Sequence, residues 1–368
     1  MAKERISYFD NIKALLILLV VVGHFVNGLT SITDSHAVKV LADWIYTFHM
    51  PVFIFVSGLF GAHVYSKEKG FAVENVMLYV VLYLVFIMLS WVEHSLMAGE
   101  VTSFNPFYAS AAPWYLLALA LLSLTLPVFA RMKPVWGLLL AVVLSVANGA
   151  WNQDVNFLAV SRTLTYLPAY LLGYYIGGGV LGTWVRNVRE HGFTFGGLQV
   201  PFRALYGAAA LVLVGLLCAY YVLPDSYVTL IRHYSTGIHV FPEFADKAPA
   251  VPYLVWPLLR IAHCVLMLVV GWAVIVLAPY KNCGYLTTIG ERTLQVYIGH
   301  MLVYYFYNHL QISDIFCPMF GWWPLACIAI GVALTCLLAT FPQPNRWVRS
   351  LKGWLKRISV SGDPMPSK

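Results

Sequence analysis

Long apolar stretches recur along the whole sequence, and this feature constrains the fold more than any other. A helix needs about 20 apolar residues to cross roughly 30 Å of hydrocarbon. Ten such stretches, with approximate boundaries, lie at residues 12–30, 41–65, 72–97, 111–130, 134–150, 157–180, 204–223, 252–279, 285–309 and 321–341. Their residues do not alternate between apolar and polar as the strands of a membrane barrel do. The sequence therefore predicts an all-α, polytopic membrane protein with about ten transmembrane helices.

We place these spans in a single transmembrane domain over 1–345, followed by a basic cytoplasmic tail over 346–368. Residues 36–47 form either the start of the second span or a separate interfacial segment that leads into it. The first stretch has no evident small-residue cleavage site and precedes nine further spans, so we expect a retained helix rather than a signal peptide.

The composition excludes several classes of protein. Of the 368 residues, 60% are hydrophobic and 11% are charged, whereas about 25% of residues are charged in an ordinary soluble domain. A large soluble enzyme is therefore excluded, and the 15% aromatic content excludes a disordered chain. The six cysteines show neither a CxxC nor a Cys/His metal spacing. We expect them to be small apolar residues in helices, and we predict no metal site.

The net charge of +7 is best explained by topology, and nucleic acid is not an expected partner. If the N-terminus is cytoplasmic, ten spans return the C-terminus to the same side. Most of the 23 Lys and Arg residues then lie in cytoplasmic segments, and only Lys39, Arg232 and Lys247 lie outside. This asymmetry follows the positive-inside rule. We predict a multi-pass protein in contact with membrane lipid, with both termini cytoplasmic and one long outer loop at about 224–251.

Five of the predicted spans carry a histidine or an arginine in their outer half. These residues are His24, His49, Arg162, Arg260 and His300. Ionisable groups inside a membrane are costly and commonly mark a pathway or a site. Taken singly, each can be a packed histidine or an arginine that reaches the headgroups. Taken together, they predict a polar cavity open to the outer side, at the level where Trp114 and Tyr115 begin the fourth span.

A second polar pair lies at the cytoplasmic end of the first span. Asp10 and Lys13 are three residues apart, so their side chains can meet on one helix face. Lys13 is either a positive-inside anchor or a contact for the phosphates of an anionic cytoplasmic donor. His24 follows eleven residues later, roughly 16 Å deeper at 1.5 Å per residue.

The histidine-bearing first span suggests acyl transfer. A neutral imidazole can take a proton from a hydroxyl, which then attacks an activated acyl group, and a nearby arginine can stabilise the oxyanion that forms. The sequence contains no GxSxG, Walker or HExxH motif. The layout alone leaves an alternative equally open, namely a multi-pass transporter or flippase that recognises a sugar-linked or anionic solute with the same residues.

The first span resembles that of the acyltransferase 3 family of membrane proteins. Lys13 is followed by ten residues and then by His24, which is similar to the family's signature of a basic residue, ten residues and a histidine. The wider family usually has arginine in the place of Lys13. Lysine there resembles the fucose 4-O-acetylase-like subgroup.

Four further segments resemble motifs of the same family and contain most of the remaining candidate residues. They are FHMPVFIFVSG at 48–58 with His49 and Ser57, PWYL at 113–116 with Trp114 and Tyr115, the stretch 161–174 with Arg162, and the stretch 289–300 with His300. The resemblance covers residues from about 5 to 310, which is most of the region with predicted spans.

The resemblance implies an integral-membrane O-acyltransferase that moves acetyl from cytoplasmic acetyl-CoA to a hydroxyl of a sugar or cell-surface glycan. It implies His24 as the catalytic residue and Lys13, with Asp10, as donor-binding residues. Acetyl-CoA is a co-substrate, so no permanently bound cofactor is expected, and another acyl group such as succinyl stays open. The family also implies a bacterial plasma membrane.

The depths of the side chains suggest a route for the two substrates. A pantetheine arm would enter beside Lys13 and bring its thioester to His24, while the acceptor would come from the outer cavity. The residues expected to line the site or contact the acceptor are His49, Ser57, Trp114, Tyr115, Arg162, Arg260 and His300.

Overall fold

The computed structural model describes residues 7–68, 70–109, 112–151, 154–247 and 251–359. Within these ranges the chain is almost entirely helical, with two short antiparallel hairpins and a 3-10 turn at Gly61–His63. The elements are α1 (Ser7–Leu29), α2 (His36–Leu59), β1 (Tyr65–Ser66), β2 (Gly70–Phe71), α3 (Val73–Ala98), α4 (Trp114–Phe129), α5 (Pro134–Ala150), α6 (Val160–Ile176), α7 (Gly178–His191), β3 (Phe193–Phe195), β4 (Leu198–Val200), α8 (Phe202–Val222), α9 (Asp225–Thr236), α10 (Phe241–Lys247), α11 (Val255–Leu277), α12 (Tyr285–Glu291), α13 (Thr293–His309), α14 (Ile312–Met319), α15 (Trp323–Thr340) and α16 (Gln343–Ser359).

Six of the described helices are long and apolar enough to cross a membrane, namely α1, α2, α3, α8, α11 and α15. The protein is therefore an all-α membrane protein with several spanning helices. Each of the ten predicted stretches coincides with helix, but α4, α5 and α6 have only 16, 17 and 17 residues. The count of ten spans and the cytoplasmic position of both termini stay predictions.

The ninth predicted stretch is divided in two. Arg292 has φ −115° and ψ 19°, which is outside the helical region, and it separates α12 from α13. Nη1 of Arg292 donates to the carbonyl oxygens of Ala339 and Thr340, at 2.6 and 3.0 Å. These are two of the carbonyls that the end of α15 cannot satisfy within its own helix. The break thus lets an arginine cap a neighbouring helix.

The structure decides between the two alternatives for residues 36–47 and adds detail to the outer segment predicted at about 224–251. Residues 36–47 are not a separate interfacial segment, because α2 is continuous from His36 to Leu59. The outer loop predicted at about 224–251 contains the helices α9 and α10. Tyr234 of α9 and Phe241 of α10 are buried, and such aromatic burial fixes these helices against the membrane-spanning ones.

The helix α1 lies inside the bundle and packs against α2, α12, α13 and α15. The helices α2 and α6 also cross in close contact, and glycines permit the approach. A Cβ at Gly58 would collide with the carbonyl oxygen of Tyr170, and one at Gly173 would collide with that of Phe55. This crossing fixes the position of α2, which supplies several of the candidate site residues.

The described part of the predicted tail, residues 346–359, belongs to the helix α16. Leu355 is the buried residue of α16, and Lys356 and Arg357 lie in its last turn. The helix packs against α3 and α13. Residues 360–368 lie outside the described part of the chain.

Candidate active site

Lys13 and His24 lie on one face of α1. Eleven residues make close to three full helical turns, so the two side chains share a face and are separated by roughly 16 Å along the axis. Ile17 and Val20 occupy the same face between them, with 0% and 2% of their surface exposed. An apolar layer therefore separates Lys13 from His24.

Lys13 pairs with Asp10 at the first turns of α1, as the spacing of three residues predicted. Nζ of Lys13 lies 2.7 Å from Oδ1 of Asp10. Asp10 is buried and its backbone packs against α12, where a Cβ on Gly290 would collide with the Asp10 carbonyl oxygen. The Lys13 side chain is 23% exposed. The carboxylate is thus held in the bundle while the ammonium group stays accessible.

His24 is half-buried among aromatic side chains of α2 and α13. The hydroxyl oxygen of Tyr46 lies 3.3 Å from Nδ1 of His24. The rings of His300 and Tyr304 are centred 5.4 and 5.6 Å from the His24 ring. The structure therefore brings together two of the histidines predicted from separate spans, His24 and His300.

The tautomer of His300 follows from its hydrogen bond. Nδ1 lies 2.9 Å from the carbonyl oxygen of Val296, and because a carbonyl only accepts, Nδ1 carries the proton. Nε2 of neutral His300 is then an acceptor, and this buried atom has no hydrogen-bond partner within the described ranges. Unpartnered buried polar atoms are rare and call for an explanation. Nδ1 of His49 makes a similar hydrogen bond, to the carbonyl oxygen of Ile45 at 2.6 Å.

Arg232 of α9 holds the side of the site formed by α1 and α2. Its Nη1 donates to Oδ1 of Asp43 at 2.6 Å, and its Nη2 donates to Oδ1 of Asn27, one turn beyond His24. The guanidinium carbon also lies 4.8 Å from the centre of the Tyr46 ring. One arginine therefore contacts both the helix that carries His24 and the tyrosine that hydrogen-bonds to it.

Ser57 and Tyr115 form a second polar contact, further along α2. The two hydroxyl oxygens lie 2.9 Å apart. The Tyr115 ring is centred 5.3 Å from that of Tyr297, which in turn is 6.0 Å from His300. The hydroxyl of Tyr297 donates to the carbonyl oxygen of Ala112. Tyrosine rings thus connect Ser57 and Tyr115 to the histidine pair.

Arg162 and Trp114 form a separate pair at the beginnings of α6 and α4. The guanidinium carbon lies 5.0 Å from the centre of the Trp114 ring, and Nη1 donates to the carbonyl oxygen of Ala109 at 2.8 Å. Trp114 also stacks on Tyr166, with ring centres 5.6 Å apart. These contacts give Arg162 a cation–π and hydrogen-bonding role in packing the ends of the two helices.

Arg260 belongs to another group of residues than the one around His24. Its Nη1 donates to the carbonyl oxygen of Tyr234 in α9 at 2.9 Å. His263, one turn along α11, shares a hydrogen bond of 2.7 Å with the hydroxyl of Ser235. The single polar layer that the sequence predicts is therefore divided into three groups, around His24, Arg162 and Arg260, and α9 contacts the first and the third.

Two polar cavities lie near these groups. One, of about 300 Å³, is lined by Asp43, Arg232, Thr30 and His233 among others. The other, of about 740 Å³, lies between the ends of α3 and α13 and includes Glu93. Within the described ranges, no three His, Cys, Asp or Glu side chains are grouped as a metal ion would require.

Sequence reasoning missed three residues of the His24 group: Tyr46, Arg232 and Tyr304. Tyr46 and Tyr304 occur in aromatic-rich helices in which many tyrosines look alike. The sequence places Arg232 in an outer loop, where a single basic residue gives no indication of a contact with α1. The amphipathic spacing of α9, with Tyr234 and Ser235 beside Arg232, is the pattern that can indicate a packed helix.

Comparison with known proteins gives one family. The model of the acyltransferase domain of the acyltransferase 3 family matches residues 6–342, which is nearly the whole chain. No curated protein and no solved structure matches the chain. The match spans α1 with Lys13 and His24 as well as the later helices that supply His300. The chain therefore belongs to the acyltransferase 3 family and is a membrane acyltransferase.

Proposed function

We propose that the protein transfers an acetyl group from cytoplasmic acetyl-CoA to a hydroxyl of a sugar or cell-surface glycan, with His24 as general base. The observation that carries the proposal is the placement of His24. It is a half-buried histidine whose Nδ1 meets the Tyr46 hydroxyl, on the same helix face as an accessible lysine. The family membership supports transfer and gives no support to the transporter alternative.

The hydrogen bond to Tyr46 suits His24 to its role. If Nδ1 donates to the Tyr46 oxygen, Nε2 keeps its lone pair and can accept a proton from the acceptor hydroxyl. The alkoxide oxygen then attacks the thioester carbonyl, and the tetrahedral intermediate expels the thiolate of CoA. His24 returns its proton to that thiolate, so the products are an acetyl ester and free CoA. The unpartnered Nε2 of His300 is suited to accept a hydrogen bond from the incoming acceptor.

Lys13 is the proposed contact for phosphate groups of the donor. An ammonium group is a point charge that phosphate oxygens can share with the neighbouring carboxylate of Asp10. From Lys13 the pantetheine arm follows the face of α1 to His24, a distance of roughly 16 Å. Ile17 and Val20 fill that face, so donor binding requires their side chains to move aside.

The cavity lined by Asp43 and Arg232 is the proposed acceptor site. Its volume of about 300 Å³ lies at the lower end of the range for small-molecule pockets, which suits one sugar unit. A carboxylate and a guanidinium group can accept from and donate to sugar hydroxyls. Arg232 contacts Tyr46, which hydrogen-bonds to His24, and Asp43 pairs with Arg232. A bacterial plasma membrane, with the acceptor on its outer side, fits this arrangement.

The decisive experiment follows the acyl group. Protein in lipid nanodiscs is given acetyl-CoA labelled in the acetyl group together with a membrane glycan extract, and ester-linked label and free CoA thiol are both measured. We expect label in the glycan, and we expect His24→Ala to lower turnover by about 10²–10⁴-fold. A His24→Ala variant with the normal elution profile and normal turnover contradicts the mechanism. Glycan movement without any covalent label contradicts acyl transfer.

A further inference from the structure

A long groove lies between α5, α6 and α7 on one side and α11 on the other, and His24 and the side chains around it are not part of its lining. It has a volume of about 510 Å³, and Val52 and Phe55 of α2 form its floor. On α11 it extends from Arg260 to Ile275. Fifteen residues of helix correspond to about 22 Å, which exceeds half the hydrocarbon thickness of a bilayer.

The groove is polar at one end only. Arg260, His263, Cys264 and Thr165 lie together at that end. The rest of the lining is apolar and includes Leu172, Leu181, Met267 and Trp272. An amphipathic ligand with one polar head and one long apolar chain matches this distribution, whereas a soluble anion or a plain hydrocarbon matches only part of it.

Arg260 is a buried cation whose charge is not balanced. Its exposed fraction is 1%, and no carboxylate of the described residues forms an ion pair with it. Nη1 donates to the Tyr234 carbonyl, but Nε and Nη2 have no hydrogen-bond partner within the described part of the chain. A buried charge without a partner is strongly unfavourable, and arginines inside a membrane are normally paired. An anionic group in the groove would supply the missing partner.

We propose that this groove binds a lipid that carries a phosphate group. The phosphate accepts hydrogen bonds from the guanidinium group of Arg260, because arginine pairs with phosphate through two parallel N–H groups. The chain of the lipid lies along α11 towards Ile275, in contact with α6 and α7. Basic pockets between transmembrane helices are known to recognise lipid headgroups in this way. The site is distinct from the His24 group and does not depend on the acyl-transfer reaction.

The test uses three simple probes on the purified full-length protein in detergent. Hexadecyl phosphate has both the head and the chain, hexadecanol has the chain alone, and inorganic phosphate has the head alone. Native mass spectrometry counts bound molecules, and thermal unfolding measures stabilisation. We expect one hexadecyl phosphate per protein with a raised unfolding temperature, and neither effect with the other two probes.

Two kinds of variant locate the site. Arg260→Gln should weaken hexadecyl phosphate binding by about tenfold or more, while Arg260→Lys should weaken it less, because lysine keeps the charge but not the two parallel N–H groups. Gly271→Leu should block the chain, and Gly271→Ala should not, because a Cβ at Gly271 meets only Val52, at 3.7 Å. The comparison of Gly271→Leu with Gly271→Ala still tests the proposal if Arg260→Gln does not fold.

Three outcomes overturn the proposal. Equal stabilisation by inorganic phosphate indicates a site for a soluble anion rather than a lipid. Equal binding of hexadecanol indicates that Arg260 recognises no headgroup. Unchanged binding of hexadecyl phosphate to Gly271→Leu indicates that the chain does not lie in this groove.

Discussion

At the scale of single residues, the hydrogen bond between Tyr46 and His24 is the contact on which catalysis should depend most directly. Tyr46→Phe keeps the ring but removes the hydroxyl that lies 3.3 Å from Nδ1. We expect kcat to fall by about tenfold, which is the effect of losing roughly 1.4 kcal/mol from one hydrogen bond. On the proposed mechanism the KM for acetyl-CoA should not change, because Tyr46 orients the proposed base and lies apart from the proposed donor contact at Lys13.

A matched control is Tyr170→Phe, which removes another buried tyrosine hydroxyl, 3.4 Å from that of Ser123. Steady-state rates of both variants, measured with labelled acetyl-CoA, separate a specific effect from general loosening. A Tyr46→Phe variant that loses no more activity than Tyr170→Phe shows that the hydroxyl does not orient His24.

At the scale of secondary-structure elements, α9 depends on the ion pair of Arg232 with Asp43. The two side chains are only 23% and 12% exposed. Arg232→Gln leaves the Asp43 carboxylate unpaired, so we expect the free energy of unfolding to fall by about 1–3 kcal/mol. Turnover should fall too, because α9 no longer holds Tyr46 and Asn27. Thermal unfolding and initial rates measure the two effects.

The double variant Arg232→Gln/Asp43→Asn should recover much of the lost stability, because it also removes the unpaired charge. Asp34→Asn serves as a control, since Asp34 pairs with Lys39 at 3.8 Å from a fully exposed position. Its removal should not change the unfolding temperature. If Asp34→Asn and Arg232→Gln have equal effects, the ion pair does not fix α9.

At the scale of the whole molecule, the apolar layer of Ile17 and Val20 separates the proposed donor side at Lys13 from the proposed acceptor side at His24. Val20→Ala shortens a side chain in that layer and should lower the barrier to passage of the donor arm by about 1 kcal/mol. We therefore expect kcat/KM for acetyl-CoA to rise about fivefold. Val21→Ala is the matched control, because Val21 is the next residue, is equally buried and lies off this face. Both variants should lose about 1–3 kcal/mol of stability. Identical kinetics in the two variants would exclude this route.

Much of the architecture follows from short-range rules that a sequence displays directly. The bilayer thickness sets the length of apolar runs, so the runs at 12–30 and 252–279 predict α1 and α11 within a few residues. Helical spacing likewise predicts the Asp10–Lys13 ion pair. Polar helices outside the spans are harder to predict. The segment that forms α9 has no long apolar run, and its burial depends on neighbours elsewhere in the chain.

The sequence by itself therefore determined that this is a membrane protein, which family it belongs to, and that Lys13 and His24 share one face of a helix. Only the tertiary structure decided which groups surround His24. The bond from Arg232 to Asn27 joins residues 205 positions apart, and His300 reaches the same place from α13. Contacts of this kind depend on how whole helices pack, on glycine crossings and on the break at Arg292. Helix packing joins surfaces whose residues are distant in the chain, whereas helix length and side-chain spacing depend on residues that are close in the sequence.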